Sequence, residues 1–392
     1  MNFNDFGLDK RIIDALRKKG YKTPSPIQEK AIPPALEGRD ILGCAQTGTG
    51  KTCAFAAPIL HWLGNNPSRN KYGKIRSLIL TPTRELAMQI DESFWQYGRY
   101  MPFKNGVIMG GVSEEGQIRA LSAGLDILTA TPGRFLDLAS RGYVDPAFVE
   151  IFVLDEADRM LDMGFLPDVS SIIEMLPAKR QTLFFSATMP PEVSKLAGKL
   201  LTNPVTVAVT PVSSTVDKVE QFVCTTDKAN KTDLLVWLML EGFYMTSVLI
   251  FTRTKIGAEK LRRDLGRANI YAEAIHGDKS QTDRQNALRQ FKRGVCNVLV
   301  ATDIAARGLD IDDISHVINF EMPYEAETYV HRIGRTGRMG KSGTAISLCD
   351  YDEKPYLADI EKLIKKQITV FEKHPYPMTV FAKTARPRRY RR

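Results

Sequence analysis

DILGCAQTGTGKTCAFAAPIL, residues 40–60, runs from a short apolar stretch through a glycine-rich loop into an alanine-rich helical pattern. Strand, loop and helix in that order make a phosphate-binding loop, where backbone amides cradle phosphate oxygens and a helix N-terminus faces the anion. Gly48 and Gly50 permit a close backbone approach, with Thr47 and Thr49 between and before them. Lys51 sets a compact positive charge on the β and γ phosphates, and the Thr52 hydroxyl is suited to a magnesium ion. The usual pattern begins with glycine, and Ala45 stands there instead. A plain turn before an alanine-rich helix is the alternative reading of the same residues.

The second half of a nucleotide site is an acidic residue at the end of a buried strand, and IFVLDEADRM (151–160) provides Asp155 and Glu156 after four apolar residues. Asp155 is placed to hold the metal, directly or through water, and Glu156 to orient and deprotonate the attacking water. An acidic first helical turn with Asp158 as cap would explain the same residues without chemistry, but the preceding loop favours the nucleotide reading.

Outward from these segments the chain alternates apolar runs with helical patterns. IRSLILTP, GLDILTATP and RQTLFFSAT join the first two in one half; VEQFVCTT, SVLIFTRT, NIYAEAIHG, CNVLVATD, SHVINFEMP and GTAISLCD repeat the rhythm in the other. Runs almost continuous in Val, Ile, Leu and Phe predict parallel strands covered on both faces by helices such as KIGAEKLRRDLGRA. The expected architecture is α/β, two domains each built on a parallel sheet flanked by helices. The low helical period of TNPVTVAVTPVSSTVDK puts a linker at 204–217 between a domain at 1–203 and another at 218–373, with a basic tail at 374–392.

A length of 392 residues fits about two domains. With 43% hydrophobic and 25% charged residues, wholesale disorder, collagen repeats and rods are poor fits. No apolar run reaches the roughly 18 residues of a membrane helix, and MNFNDFGLDKR lacks a signal-peptide core, so the expected address is the cytoplasm without membrane partners. The five cysteines show neither zinc spacing nor a disulfide framework. Of the net charge of +9, residues 1–210 contribute little, with 24 Lys and Arg against 22 Asp and Glu. KTARPRRYRR at 383–392 carries six positive charges and no negative one, an arm suited to a polyanion.

Asp155, Glu156, Ala157 and Asp158 spell DEAD, and the chain resembles a DEAD-box ATP-dependent RNA helicase over nearly its whole length. The segments carrying the resemblance are GYKTPSPIQ (20–28), AQTGTGKT (45–52), PTREL (82–86), GG (110–111), TPGR (131–134), DEAD, SAT (186–188), ATDIAARGLD (301–310) and HRIGRTGR (331–338). The VSSTVDKVEQ segment and compact second half look most like the bacterial RhlE-like branch. The resemblance implies two tandem RecA-like domains that bind ATP with magnesium and use RNA as partner and substrate, as a monomer, with ribosomal or RNA-decay proteins as further partners.

It also implies roles. Gln28 meets adenine, whose N6 amino group and N7 a carboxamide complements; Phe3 stacks on the base with Tyr21 nearby; Gly308 and Asp310 approach the ribose. Arg335 and Arg338 resemble arginine fingers, and Asp158, Ser186, Thr188 and His331 the hydrogen-bonding set that couples ATP to RNA. Pro82, Thr83, Arg84, Gly110, Gly111, Thr131, Gly133 and Arg134, then Thr252, Arg253 and Thr302, match the positions that hold RNA. Backbone amides and hydroxyls of that kind bind phosphate without reading sequence, and 2′-hydroxyl contacts would separate RNA from DNA. In the family's cycle, closure on ATP bends one strand, unpairs short duplexes locally, and hydrolysis releases the product. Two other readings use the same residues, an ATP-gated RNA clamp or scaffold with little unwinding and a DNA translocase; the Gln28 segment and DEAD itself disfavour the second.

Overall fold

The computed structural model describes residues 2–45, 48–67, 74–208, 219–306, 311, 314–337 and 343–379. Thr47, Gly308, Asp310, Arg338, most of the 204–217 linker and the basic arm at 383–392 lie outside them. The chain divides into two compact units, Met1–Thr210 and Pro211–Arg392.

Each unit is one seven-stranded sheet. The first contains β1 (Ile41–Cys44), β2 (Ser77–Leu80), β3 (Asn105–Ile108), β4 (Ile127–Ala130), β5 (Ile151–Leu154), β6 (Gln181–Ser186) and β7 (Val205–Ala208). The second contains β8 (Val219–Thr225), β9 (Val248–Thr252), β10 (Ala272–Ile275), β11 (Val298–Thr302), β12 (His316–Asn319), β13 (Gly343–Cys349) and β14 (Thr369–Val370). Their spatial orders are β3-β4-β2-β5-β6-β1-β7 and β10-β11-β9-β12-β13-β8-β14, so the second sheet repeats the first with every label advanced by seven. All pairings between these strands are parallel.

Such strands must bury both faces, because the crossovers lay helices on each side. Successive side chains point to opposite faces. Ile79, Val153, Leu183 and Phe185 accordingly join one apolar layer, and Leu78, Leu80, Phe152, Leu154 and Phe184 the other. In the second unit Val248, Ile250, Val298 and Val300 lie on one face, and Leu249, Phe251, Leu299 and Ala301 on the opposite one. Gly43 sits opposite Phe185 in the β1–β6 register, and a Cβ there would collide with that ring. Glycine is what allows the large aromatic ring to lie across the strand that feeds the phosphate loop.

Two expected boundaries shift. Val205–Ala208, expected in the linker, forms the edge strand β7 against β1, where Val207 is buried. A strand alternating one buried side chain with exposed neighbours gives too weak an apolar run to recognise. The expected tail also starts too early. Through residue 379 the chain stays on the second unit: His374 stacks on Phe371, Tyr376 packs on the apolar layer that contains Val248 and Ile250, and the Thr379 amide donates to Asp227 at 2.9 Å. No helix among the described residues is long and apolar enough to cross a membrane. The five cysteines are free thiols, and all but Cys44 are buried.

Asp40 fastens the start of β1. Its two carboxylate oxygens accept the Thr182 and Thr202 amides, both at 2.7 Å, and it is buried. Truncation to Asp40→Ala strands both amides, so unfolding in urea should show a loss of about 2–4 kcal/mol. A midpoint equal to that of the parent would contradict this role.

Candidate functional site

A parallel sheet delivers the carboxyl ends of all its strands to one edge, and ligands of open α/β sheets bind there. In the first unit the sheet order therefore fixes the order of the segments. From β3 come Gly110 and Gly111; from β4, Thr131, Gly133 and Arg134; from β2, Pro82, Thr83 and Arg84; from β5, Asp155 and Glu156; from β6, Ser186 and Thr188; and from β1, the loop ending in Lys51. The expected phosphate-backbone contacts occupy one half of the edge and the nucleotide loop the other, with DEAD and SAT between them.

At the loop, Gly48 and Gly50 have φ of 78° and 93°, the left-handed region that favours glycine. Gly50 also lies so close to Gln28 that a Cβ there would run into its side-chain amide. Lys51 and the half-buried Thr52 follow in the first turn of the helix Lys51–Asn65. Lys51 is buried, its Nζ makes no hydrogen bond among the described residues, and its ion pair with Asp155 spans 3.7 Å. A buried ammonium with unsatisfied donors is costly unless a ligand supplies the acceptors.

Gln28 is partly committed to this loop. Its Nε2 donates to the Gly50 carbonyl at 3.1 Å and its Oε1 accepts the Ser25 amide at 2.8 Å, leaving one N–H for a ligand. Ser25 in turn donates to the Thr49 carbonyl at 2.7 Å. Ser25 is absent from the expected set, although S-x-x-Q before an apolar helix is a readable capping box. Phe3 is buried edge-on against Phe6 and Tyr21, at 5.8 and 5.9 Å between ring centroids. Phe3 and Tyr21 line a cleft with Arg17 and Gly20.

Glu156 has φ 55° and ψ 51°, an uncommon conformation for a residue with a side chain. Its amide donates to Asp155 Oδ1 at 2.9 Å, and the buried Arg159 forms an ion pair with its carboxylate. Burial raises the Asp155 carboxyl to about 6, opposed by the charge of Lys51. Asp158 is the junction with SAT. Its amide donates to Ser186 Oγ at 3.1 Å, while its Oδ2 accepts from the Thr188 amide and hydroxyl at 2.8 and 2.9 Å. Ser186 Oγ donates to the Thr188 carbonyl at 2.7 Å, closing the network.

On the other half of the edge, Thr83 caps the helix Arg84–Tyr97 by accepting the Leu86 amide at 3.3 Å. The Arg84 guanidinium lies against Gly111, φ 72°, so closely that a side chain there would displace it. Arg134 reaches the Val112 carbonyl at 3.5 Å and Asp137 at 3.5 Å. PTREL, GG and TPGR thus meet around two guanidiniums, while Gly133 has open space beside it.

In the second unit Thr252 ends β9 and Thr302 ends β11, adjacent strands in the corresponding half of that sheet's edge. Arg253 is engaged within the unit. Its Nε donates to the Met322 carbonyl at 2.7 Å and its Nη2 pairs with Glu353 at 2.8 Å. The helix Ala326–Ile333 carries the half-buried His331 and leads to Arg335, also buried. Arg332, missed in the sequence, anchors this helix: its Nε and Nη2 grip Asp303 at 2.6 and 2.8 Å, and its Nη1 donates to Asn319 at 3.1 Å and the Glu321 carbonyl at 2.7 Å. HRIGR and ATD each contain half of that pair, but nothing local in either segment joins them. No group of three or more His, Cys, Asp or Glu able to hold a metal occurs among the described residues.

Comparison with known proteins places this geometry in a family. Residues 25–196 match the DEAD/DEAH box helicase profile and residues 230–340 the helicase conserved C-terminal domain. The chain is 42% identical over 371 residues to the DEAD-box ATP-dependent RNA helicase RhpA of Helicobacter pylori, covering 95% of this chain and 74% of that one. It is 42% identical over 366 residues to the ATP-dependent RNA helicase CshA of Listeria monocytogenes, covering 93% and 69%. Among solved structures, Saccharomyces cerevisiae Dbp5 bound to RNA and ADP BeF3 superposes with a TM-score of 0.84 at 30% identity, covering 95% of each chain. A DEAD box protein from Methanococcus jannaschii gives 0.55 at 37% identity, covering 95% and 99%. The chain belongs to the DEAD-box ATP-dependent RNA helicases, and the two sheets are its tandem RecA-like domains. It is an ATP-hydrolysing enzyme that acts on RNA.

The raised Asp155 carboxyl has a measurable sign. A carboxyl whose proton is held more tightly in the folded than in the unfolded chain stabilises below about pH 4 and loses that contribution as pH rises through about 6. Without nucleotide, the stability of the parent relative to Asp155→Asn should therefore fall between pH 4 and 7.5, by on the order of 2 kcal/mol in paired urea titrations. A constant difference across that range would rule out the shift.

Proposed function

We propose that the chain binds ATP with magnesium at the Lys51 loop and uses its hydrolysis, in the presence of RNA, to separate short duplexes or remodel RNA–protein complexes. The observation that carries this reading is Lys51, a buried ammonium without a hydrogen-bond partner among the described residues, set between left-handed glycines and Asp155. Triphosphate oxygens are the acceptors it lacks. The donor set also fits a magnesium ion, which takes few protein ligands and keeps phosphate and water. Thr52 and Asp155 would hold it, and when bound it supplies neutralisation of charge on the β and γ phosphates.

The chain's own residues supply the rest. Glu156 is assigned to orient the attacking water and take its proton, with Arg159 holding its side chain meanwhile. Gln28 keeps one N–H for adenine, and Phe3 and Tyr21 line the cleft proposed for the base. Arg335 is the described arginine assigned to transition-state charge. Thr83, Arg84, Gly110, Gly111, Thr131, Gly133, Arg134, Thr252 and Thr302 are assigned to RNA phosphates and sugars, which implies little sequence preference. Asp158, Ser186, Thr188 and His331 are assigned to coupling. Arg253, engaged inside its unit, enters this reading as a supporting residue. The RhlE-like branch, supported by the VSSTVDKVEQ segment, a cytoplasmic address and a monomeric state belong to the same proposal.

Lys51→Ala should fold as the parent does yet lose RNA-stimulated phosphate release by about a hundredfold or more, since the buried site offers no substitute charge. ATP turnover is to be measured with single-stranded RNA and with DNA of the same sequence. Stimulation by RNA alone, abolished in the variant, is the expected outcome; undiminished turnover in Lys51→Ala, or equal activation by DNA, would overturn the reading.

A further inference from the structure

The loop from β12 to the helix Ala326–Ile333 presents an aromatic side chain that none of the assigned groups uses. Tyr324 is 65% exposed. The Arg253 guanidinium carbon lies 4.2 Å from its ring centroid, and Tyr356 meets it edge-on at 5.3 Å and 77°. Arg253 is itself fixed by Met322, Glu353 and its 5.2 Å contact with the ring of Tyr356. Glu353, almost wholly buried, also accepts the Met322 amide at 3.1 Å and pairs with the buried Lys231. An exposed tyrosine ordinarily trades rotamers freely; this one has a guanidinium held against it by a buried ion-pair network.

Its place matters as much as its support. The loop leaves the carboxyl end of β12, which neighbours β9 in the sheet. At the end of β9 stand Thr252 and then Thr254, which caps the helix Lys255–Arg267 by accepting the Gly257 amide at 3.0 Å. Hydroxyls and a helix start of this kind suit a phosphate backbone. A strand whose phosphates are held there turns its bases to neighbouring surface, and every base has a π-face.

We propose that Tyr324 is a stacking platform for one base of single-stranded RNA, giving the second unit a sequence-tolerant base contact beside its backbone contacts. This rests on the reading that the chain binds RNA through these strand ends. The adenine of ATP is the other source of a nucleobase, but the residues fitted to adenine, Gln28 with Phe3 and Tyr21, belong to the first unit. Arg253 occupies one face of the ring and holds it in place, and a base stacked on the other face is accepted whatever its identity.

The test compares the full chain with Tyr324→Ala, Tyr324→Leu and Tyr324→Trp. Each is titrated with a short single-stranded RNA and with an abasic ribose-phosphate strand of the same length, at low and high salt, alongside ATP half-saturation. Tyr324→Ala and Tyr324→Leu should bind the RNA about five- to thirtyfold more weakly, and Tyr324→Trp as well as the parent. The loss should persist at high salt, because stacking releases no counterions. It should vanish on the abasic strand, where a disturbance of Arg253 alone would still register. ATP half-saturation should not move. Equal RNA affinity of parent and Tyr324→Ala, the same loss on the abasic strand, or a change confined to ATP would each overturn the platform. A parent that fails to bind RNA would instead sink the functional reading beneath it.

Discussion

A parallel strand must be followed by a crossover that returns the chain to the far end of the sheet, so every strand-to-helix turn falls on the same edge. That constraint organises both halves of this helicase. It gathers segments more than a hundred residues apart in sequence onto one rim and ranks them by strand order. In the first domain, β3, β4 and β2 bring GG, TPGR and PTREL together, and β5, β6 and β1 bring DEAD, SAT and the phosphate loop. The identical order in the second domain puts Thr252 and Thr302 in the equivalent half.

The rim works because the sheet beneath it is rigid and its turns are individually fastened. Gly43 lets Phe185 lie across β1, and Asp40 ties the start of that strand to two other segments. Ser25 and Gln28 hold the backbone of Thr49 and Gly50. The left-handed Glu156 is kept in place by the hydrogen bond its amide donates to the Asp155 carboxylate and by the ion pair with Arg159. Strained backbone of this sort persists only where neighbours determine it, and here one of those neighbours, Asp155, is also the carboxylate proposed to hold magnesium.

Much of this was legible in the sequence, for physical reasons. Central strands such as IFVL and TLFF bury both faces and read as continuous apolar runs, and β9, β11, β12 and β13 follow the same rule. The edges did not announce themselves. β3 is mostly half-buried around Gly106, β7 buries one side chain in four, and β14 is two exposed residues. The site residues were readable where one short segment carries the chemistry, as in GKT and DEAD. Partnerships between segments were not. The Asp303–Arg332 pair and the Arg253–Tyr324 stack depend on which strands lie side by side, which no local pattern encodes. Arg253 is the instructive case: its segment marks it as an RNA contact, and its hold on Glu353 and two tyrosine rings is a second set of partners that the segment does not announce.

Between the two halves of the first rim stands Asp158, bonded to Ser186 and Thr188 and set in the helix Ala157–Asp162 that follows β5, the neighbour of the strand leading to PTREL. If one rim carries both ligands, each should change the affinity of the other by the same factor, since linkage is reciprocal. The decisive measurement is that pair of factors, from RNA affinity with and without a non-hydrolysable ATP analogue and analogue affinity with and without RNA, in the parent and in Asp158→Asn. The structure predicts equal factors above one in the parent, collapsing towards one in Asp158→Asn while each ligand alone binds nearly as before. Full reciprocal coupling in the variant would contradict the account.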